Sequence, residues 1–361
     1  MGSKDGHQGG TVSAAGRVAV DAVGGDHGPG LVVAGAVQAA RRFSIPVTLV
    51  GPEAEIRAEF DRHETTGLDL SVVHAAEAIG MDEHPAQAAR RKPNSSIAVA
   101  IREAKEGRAV GMVSAGNSGA VMAVALVLLG RIPGVERPAI ASTLPTLRSA
   151  TLVLDLGAVT DPRPQHMVQF AWMGHVYAER VLGRPSPSIG LLSNGEESSK
   201  GNQLVREVYP LLATAEGLRF HGNVEGKDVP LGTVDVVVTD GFTGNVALKV
   251  AEGIASLTTQ LIRDELTRTW PRKLAAMTLR PAFRAVRNRL DSGEYGGAQL
   301  LGVDGTVIIA HGESSETAIA NAIRVAAEAA SRDLSATIAA TVRRAAEATT
   351  QAAADGIQPA P

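Results

Sequence analysis

Residues 110–129 read VGMVSAGNSGAVMAVALVLL. A short apolar run, Val110–Ser114, leads into the glycine-rich turn Ser114-Ala115-Gly116-Asn117-Ser118-Gly119. A ten-residue apolar run, Ala120–Leu129, follows directly. The first run has the length of a buried strand. The second is a buried helix, because ten residues fall far short of the roughly 20 needed to span a bilayer. A strand delivered through glycines into a helix is the repeating unit of an α/β sheet.

The same alternation runs outward in both directions. Strands are expected at Arg17–Val23, Val47–Val50, Leu70–His74, Thr151–Leu156, Ser188–Leu192, Val234–Thr239 and Val307–Ala310. Helical patterns fill the intervals at Leu31–Phe43, Glu53–Arg62, Pro164–Leu182, Asn202–Ala215, Thr243–Leu266 and Glu316–Asp333. Strands separated by helices of ten or more residues imply βαβ units. The expected fold class is α/β: a Rossmann-like, mainly parallel sheet with helices on both faces.

The chain has 361 residues, 44% of them hydrophobic and 20% charged, enough to bury a large core. One α/β domain over 17–330, open to division into two lobes, is expected. Residues 1–16 are Gly, Ser and Gln rich without an apolar h-region, and are expected to be a disordered leader rather than a secretory signal. The Ala- and Thr-rich tail, 331–361, is expected to be a frayed helix followed by disorder. Only 6 Phe, 3 Tyr and 2 Trp are present and the net charge is −3, which disfavours nucleic-acid binding. With no cysteine, disulfides, thiolate metal sites and a cysteine nucleophile are excluded, and a reducing cytoplasm is the natural setting. The nine histidines are scattered without ligand spacing, so no metal is expected, and no cofactor is called for.

Six strand ends open into polar, glycine-bearing turns, at 21–29, 114–119, 155–157, 193–197, 239–245 and 311–315. In such sheets ligands lie beyond the carboxyl ends of strands. Glycines let backbone approach an anion, and a helix N-terminus adds free N–H groups and a positive dipole end. The alternative is plain: Asn117 and Ser118 cap a helix. Neither G-x-G-x-x-G nor G-x-x-x-x-G-K-[ST] occurs, which disfavours a nucleotide site. In Gly195-Glu196-Glu197-Ser198-Ser199-Lys200-Gly201-Asn202, Lys200 either pairs with an anion or belongs to a solvated loop in which Asn202 caps the next helix. Of the strand-end acids Asp21, Asp26, Asp155 and Asp240, about half are expected to serve turn amides rather than ligand.

Val20–Pro29, Val113–Ala120, Lys200-Gly201-Asn202, Asp240–Val246 and Tyr295-Gly296-Gly297-Ala298 together closely resemble the PlsX family. These are acyl-acyl carrier protein:phosphate acyltransferases of bacterial phospholipid synthesis. The resemblance covers about Arg17 to Ala330. It implies a fold similar to phosphotransacetylases and isocitrate or isopropylmalate dehydrogenases, a homodimer, and transfer of a fatty acyl group from acyl carrier protein to inorganic phosphate. The acyl-phosphate product would serve a membrane glycerol-3-phosphate acyltransferase. Two departures stand beside the motifs: Val159-Thr160, where the family usually has Asn and Val, and Asn194, where its pattern is closer to Asn-Ile-Gly.

The motifs suggest a division of labour. Gly116, Asn117, Ser118 and Gly119 would hold phosphate, with Asp21, Gly25, Asp26, Thr243, Asn245 and His311 around it. Lys200 would neutralise its charge, Asn202 would donate, and Asp240 would orient Lys200 or accept the phosphate proton. Phosphate itself would attack the thioester, so no acyl-enzyme is required. The competitors are a coenzyme A-dependent phosphotransacylase, a dehydrogenase on the same fold, and a non-catalytic membrane-associated scaffold.

Leu261–Leu290 holds eight basic residues against two acidic ones. Trp270, Leu274, Met277, Leu279 and Phe283 are interleaved among them at roughly helical spacing. Pro271 and Pro281 are expected to break it into short helices. Arg272, Lys273, Leu274, Met277, Arg284, Arg287 and Arg289 would touch anionic lipid at the inner face of the cell membrane, the acidic carrier protein, or both. The other reading is a hairpin packed on the core or on a second protomer.

Overall fold

A computed structural model describes residues 16–148, 150–290, 293 and 296–354. In chain order the elements are β1 (Val18–Asp21), α1 (Gly28–Phe43), β2 (Val47–Gly51), α2 (Glu53–Phe60), β3 (Leu70–His74), α3 (Pro85–Arg91), α4 (Ser96–Lys105), β4 (Gly111–Ser114) and α5 (Ser118–Leu128). The middle of the chain forms β5 (Ala139–Pro145), β6 (Ala150–Leu154), α6 (Pro164–Arg180), β7 (Ser188–Leu192), α7 (Gln203–Ala213), β8 (Arg219–Val224), α8 (Asp228–Leu231) and β9 (Val236–Val238). The remainder is α9 (Gly241–Thr267), α10 (Trp270–Leu290), β10 (Ala298–Leu301), β11 (Val307–Ile309), α11 (Glu316–Ala330) and α12 (Leu334–Ala354).

The eleven strands of the described residues join one sheet, in the order β3-β2-β1-β4-β11-β10-β5-β6-β9-β7-β8. The pairs β11–β10, β10–β5 and β5–β6 are antiparallel and the rest are parallel. The sheet is therefore mainly parallel, as expected, but three reversals leave β6, β9, β7 and β8 running against β1–β4 and β11. Strand β5 joins the two sets with an offset: Ala139–Ala141 pair with β10, and Ser142–Pro145 pair with β6. The offset matters for position. Ile308, Gln299 and Ala141 lie on one level, and Asp155, just past β6, accepts the Ile140 amide at 2.9 Å. The carboxyl ends of the opposed strand sets thus meet near the middle of the sheet.

Helices cover both faces. Around the first strand set, one core layer packs α1 and α11 on the sheet through Val33, Val37, Ile319 and Ile323; another packs α4 and α5 through Ile97, Ile101, Val121 and Val124. Around the second set, Phe170, Met167 and Met173 of α6 fill the core beside Leu152, Leu154 and Ile189.

Two expectations are corrected here. The folded body does not end near Ala330: Leu334, Ile338 and Val342 of α12 are buried in the α6 core. Nor does Pro281 break the basic segment: the one break lies between α9, ending at Thr267, and α10, starting at Trp270 beside Pro271 as expected, and α10 then runs unbroken to Leu290. Pro271 sits in its first turn, where no amide bond is forfeited, and Pro281 removes a single one. A hollow of about 520 Å³ opens at that point, between Met277, Pro281 and Arg284.

Helices α9 and α10 pack on each other as a projecting hairpin. At 1.5 Å per residue, the 27 residues of α9 span about 40 Å. Only Gly241 and Gly244 of α9 are buried. Phe242, Val246, Val250, Ile254, Leu257 and Leu261 form an exposed apolar stripe at spacings of three and four. Among the described residues, no helix is long and apolar enough to cross a membrane.

Candidate active site

The first strand set contributes three turns. Asp21 is buried; its carboxylate accepts the Ser114 hydroxyl at 2.7 Å and the Val23 amide at 3.3 Å. Burial pushes this carboxyl above the usual range, against the pull of those bonds. Ser114 Oγ in turn accepts the Gly116 amide at 3.0 Å. A side chain at Gly24 would meet Asp21 Oδ2 at 2.6 Å and the Gly116 nitrogen at 2.7 Å, which explains the glycine. Asp21 therefore shapes the turns. Asp26, by contrast, is exposed, with its amide on the Gly312 carbonyl at 3.0 Å. Gly25 lies against the same segment, its added Cβ 3.1 Å from that carbonyl.

Asn117 follows the capping alternative. Its Oδ1 accepts the Ala120 amide at 3.1 Å, and its Nδ2 lies 3.0–3.3 Å from the carbonyls of Gly80, Met81 and Glu83. The side chain is thereby committed to the 80–83 loop, leaving Ser118, which is exposed, and the start of α5 as the parts of this turn that face outward. The loop was not read as part of the site from sequence. Glu83 braces it by accepting the Gly80 amide and the Lys92 ammonium, each at 2.6 Å, and Lys92 holds its carboxyl below the usual range.

The second set contributes the other three turns. Asp155 accepts the amides of Ile140, Gly157, Ala158 and Val159 at 2.6–3.0 Å. Burial raises its pKa while these four donors oppose the rise. Val159 contributes its backbone, its carbonyl taking the Gly241 amide at 2.9 Å, and its side chain packs against the α6 core. Asn194 has a specific use: its Oδ1 accepts the Gly201 amide at 2.9 Å and closes the 194–201 loop.

A cleft of about 460 Å³ lies between the 192–202 loop and the start of α9, lined by Ser193, Asn194, Asn202, Asp240 and Thr243 among others. Asn202 and Asp240 cap α7 and α9, accepting the Val205 amide at 2.9 Å and the Thr243 amide at 2.8 Å. Two helix N-termini thus open on one cleft. Ser193 Oγ is buried there without a hydrogen-bond partner. Lys200 is exposed on the same loop, and among the described residues no ion pair joins it to Asp240, so the expected orienting contact is not made. Asn245 donates to the Leu156 carbonyl at 3.0 Å.

Lys249 Nζ of α9 stands 3.0 Å from His311 Nε2, just past β11, a contact between the two strand sets. His311 was legible from its turn; Lys249, two turns into a helix, carried no turn signal. Beside the cleft, whose lining includes Asn194 and Gly226, Glu196, Glu225 and Asp228 bring carboxylate oxygens within 4.8 Å of one another, with the Lys227 ammonium paired to Glu196 and Glu225. On the hairpin, Arg272 is committed to Glu265 at 2.6 Å, while Lys273, Leu274, Met277 and Arg284 are exposed or nearly so. The side chains of Arg287 and Arg289, and Tyr295, lie outside the described residues.

Comparison with known proteins agrees with this architecture. The fold is similar to phosphotransacetylases from Streptococcus pyogenes (TM-score 0.61, 17% identity, 88% of this chain and 95% of that one) and Staphylococcus aureus (EutD; TM-score 0.58, 14% identity, 88% and 94%). In sequence it is 50% identical to a phosphate acyltransferase of Pelobacter propionicus over 86% of this chain and 90% of that protein. It is 51% identical to one of Desulfitobacterium hafniense, over 86% and 93%. Residues 16–337 match the family described as "Fatty acid synthesis protein". With half its residues shared across nine-tenths of these relatives, the chain belongs to that family, the PlsX family of phosphate acyltransferases, and is an acyltransferase.

Proposed function

We propose that this acyltransferase moves a fatty acyl group from the thioester of acyl carrier protein to inorganic phosphate. The observation that carries the reading is the meeting of glycine-rich turns from two opposed strand sets, with the N-termini of α7 and α9 opening on one cleft. Free amides, dipole ends and a nearby lysine suit a small multiply charged anion.

A phosphate oxygen attacks the thioester carbonyl carbon, forming a C–O bond and a tetrahedral oxyanion. Collapse breaks the C–S bond; the acyl group leaves on phosphate, and the proton of hydrogenphosphate ends on the carrier's thiol. A thiolate with a pKa of about 8.5 is a good leaving group, so positioning and oxyanion stabilisation carry the catalysis. Ser118 with the Asn117–Gly119 backbone, the Thr243 hydroxyl and the partnerless Ser193 hydroxyl supply donors. Lys200, from the loop across the cleft, supplies charge. Asp26 and Asp240 are the carboxylates placed to take the phosphate proton.

The acyl-phosphate would pass to a membrane glycerol-3-phosphate acyltransferase in phospholipid synthesis. The exposed stripe on α9 suits a second copy of the chain. The basic, apolar face of α10 suits peripheral attachment to the inner face of the membrane from the cytoplasm, or contact with the acidic carrier. The test is turnover: acyl-phosphate formation that depends on both acyl carrier protein thioester and phosphate, set against coenzyme A thioester. Lys200→Ala should lower kcat/KM at least tenfold, about 1.4 kcal/mol of transition-state stabilisation.

A further inference from the structure

The contact between Lys249 and His311 does not balance as an ordinary hydrogen bond. The Glu313 amide donates to His311 Nδ1 at 3.2 Å. A backbone amide only donates, so Nδ1 accepts and the proton of the neutral ring is assigned to Nε2. That N–H faces Lys249 Nζ at 3.0 Å, and an ammonium has three donors and no acceptor. Two donors therefore confront each other. Lys249 has one acceptor, the Glu252 carboxylate at 2.9 Å, which leaves further N–H groups unspent.

We propose that Lys249 and His311 form a two-donor clamp for one oxygen of inorganic phosphate, the acyl acceptor. The inference rests on the phosphate-acyltransferase reading and extends it to a residue not otherwise placed in the site. An oxygen seated between the two nitrogens accepts from both and turns a donor–donor confrontation into two hydrogen bonds, one of them charge-assisted. The histidine ring is held by the Glu313 amide; the half-exposed lysine, on its flexible four-carbon stem, shifts aside to admit the oxygen. Position favours this ligand. His311 follows β11 of the first strand set and Lys249 belongs to α9 of the second, so an anion held here bridges the opposed carboxyl ends. Asn245, one turn earlier, ties the same helix to the Leu156 carbonyl at 3.0 Å and fixes where Lys249 emerges. Two carboxylates flank the clamp: Glu252, and Asp26, whose Oδ2 lies 2.9 Å from a Cβ built at Gly312. Of these, Glu252 serves as the ion-pair partner of Lys249, while Asp26 favours an anion that brings its own proton, as hydrogenphosphate does.

The experiment is steady-state kinetics with phosphate and acyl donor varied separately, alongside thermal protection of the intact enzyme by inorganic phosphate. Lys249→Met should raise KM for phosphate roughly tenfold or more, the scale of one lost charge-assisted bond. KM for the donor should stay within about twofold, and most of the phosphate-dependent Tm rise should disappear. Lys249→Arg should recover part of both. Glu252→Gln keeps the lysine but removes its ion pair, and should leave phosphate KM unchanged or lowered. If Glu252→Gln instead reproduces Lys249→Met, the lysine serves only the ion pair and the proposal fails. If Lys249→Met raises KM for the donor and not for phosphate, the clamp holds the donor's own phosphate group, and the proposal also fails. Wild-type enzyme that neither uses phosphate nor is stabilised by it would overturn the underlying reading. Wild-type enzyme that does both, with an indifferent Lys249→Met, would overturn the clamp alone.

Discussion

The side-chain amide of Asn245 donates to the Leu156 carbonyl at 3.0 Å, fastening the first turn of α9 to the turn that follows β6. This bond places the α9 N-terminus, Thr243 and Lys249 relative to the strand ends. Asn245→Ala removes one partly exposed hydrogen bond, worth about 1 kcal/mol of stability. Its expected effect on catalysis is larger, a tenfold or greater fall in kcat/KM, because small misplacements of donors are costly. Kinetics paired with urea denaturation check this; a loss of activity no larger than the loss of stability would detach Asn245 from positioning.

Gly244 fits against the Asp155 carbonyl so closely that a Cβ would collide with it. Gly253, farther along the same helix, has nothing within 4 Å of an added Cβ. Gly244→Ala should destabilise the fold by about 1–3 kcal/mol through overpacking and lower activity. Gly253→Ala should stabilise by about 0.5–1 kcal/mol through helix propensity. Chemical denaturation of the two variants measures the contrast, and equal effects would contradict the described seat of α9.

Buried Asp21 has its pKa raised, so the folded state binds its proton more tightly than the unfolded chain does. Stability from this group is full below the unfolded pKa of about 3.9 and is lost as pH climbs through the folded value. Asp21→Asn lacks that loss. The stability difference, variant minus wild type, should therefore grow more favourable to the variant as pH rises from about 4 towards neutrality. A pH series of urea titrations reads it directly, and a difference falling with pH would reverse the sign assigned here.

The hairpin divides into two testable faces. Val250→Asp with Leu257→Asp, on the exposed α9 stripe, should lower the mass in sedimentation if the stripe pairs two copies as proposed. Leu274→Ser, Met277→Ser and Leu279→Ser together should release it from anionic vesicles while soluble acyl transfer persists. Vesicle binding should weaken with salt. Unchanged flotation and unchanged mass would leave the hairpin a packing element.

Much of this architecture was legible from local pattern. β-Branched runs such as Val47–Gly51 and Val236–Val238 announced strands, and the glycine-bearing turns at strand ends were legible as turns. The strands that escaped reading were β5, β8 and β10, for physical reasons. Ala298–Leu301 is AQLL, without a β-branched residue, and Arg219–Val224 opens on polar residues at the sheet edge. Missing β5 and β10 hid the three reversals, and with them the way opposed carboxyl ends converge. A helix was expected in the tail, but the docking of α12 escaped because its Ala- and Thr-rich composition looks solvated, while Leu334, Ile338 and Val342 are buried in the α6 core with Ala339 and Ala345 against it. Within the site, turn residues were visible but their partners were not. Asn117 looked like a phosphate donor because its commitment to the 80–83 carbonyls is a long-range contact. Lys249 was missed because a lysine inside a helix has no local mark.

The most direct test is one incubation of the enzyme with acyl-labelled acyl carrier protein, with and without inorganic phosphate. Direct attack predicts acyl-phosphate and free carrier thiol appearing in equal amounts only when phosphate is present, with no label on the denatured enzyme in its absence. Stoichiometric label on the protein without phosphate, or product formed only from coenzyme A thioester, would contradict it.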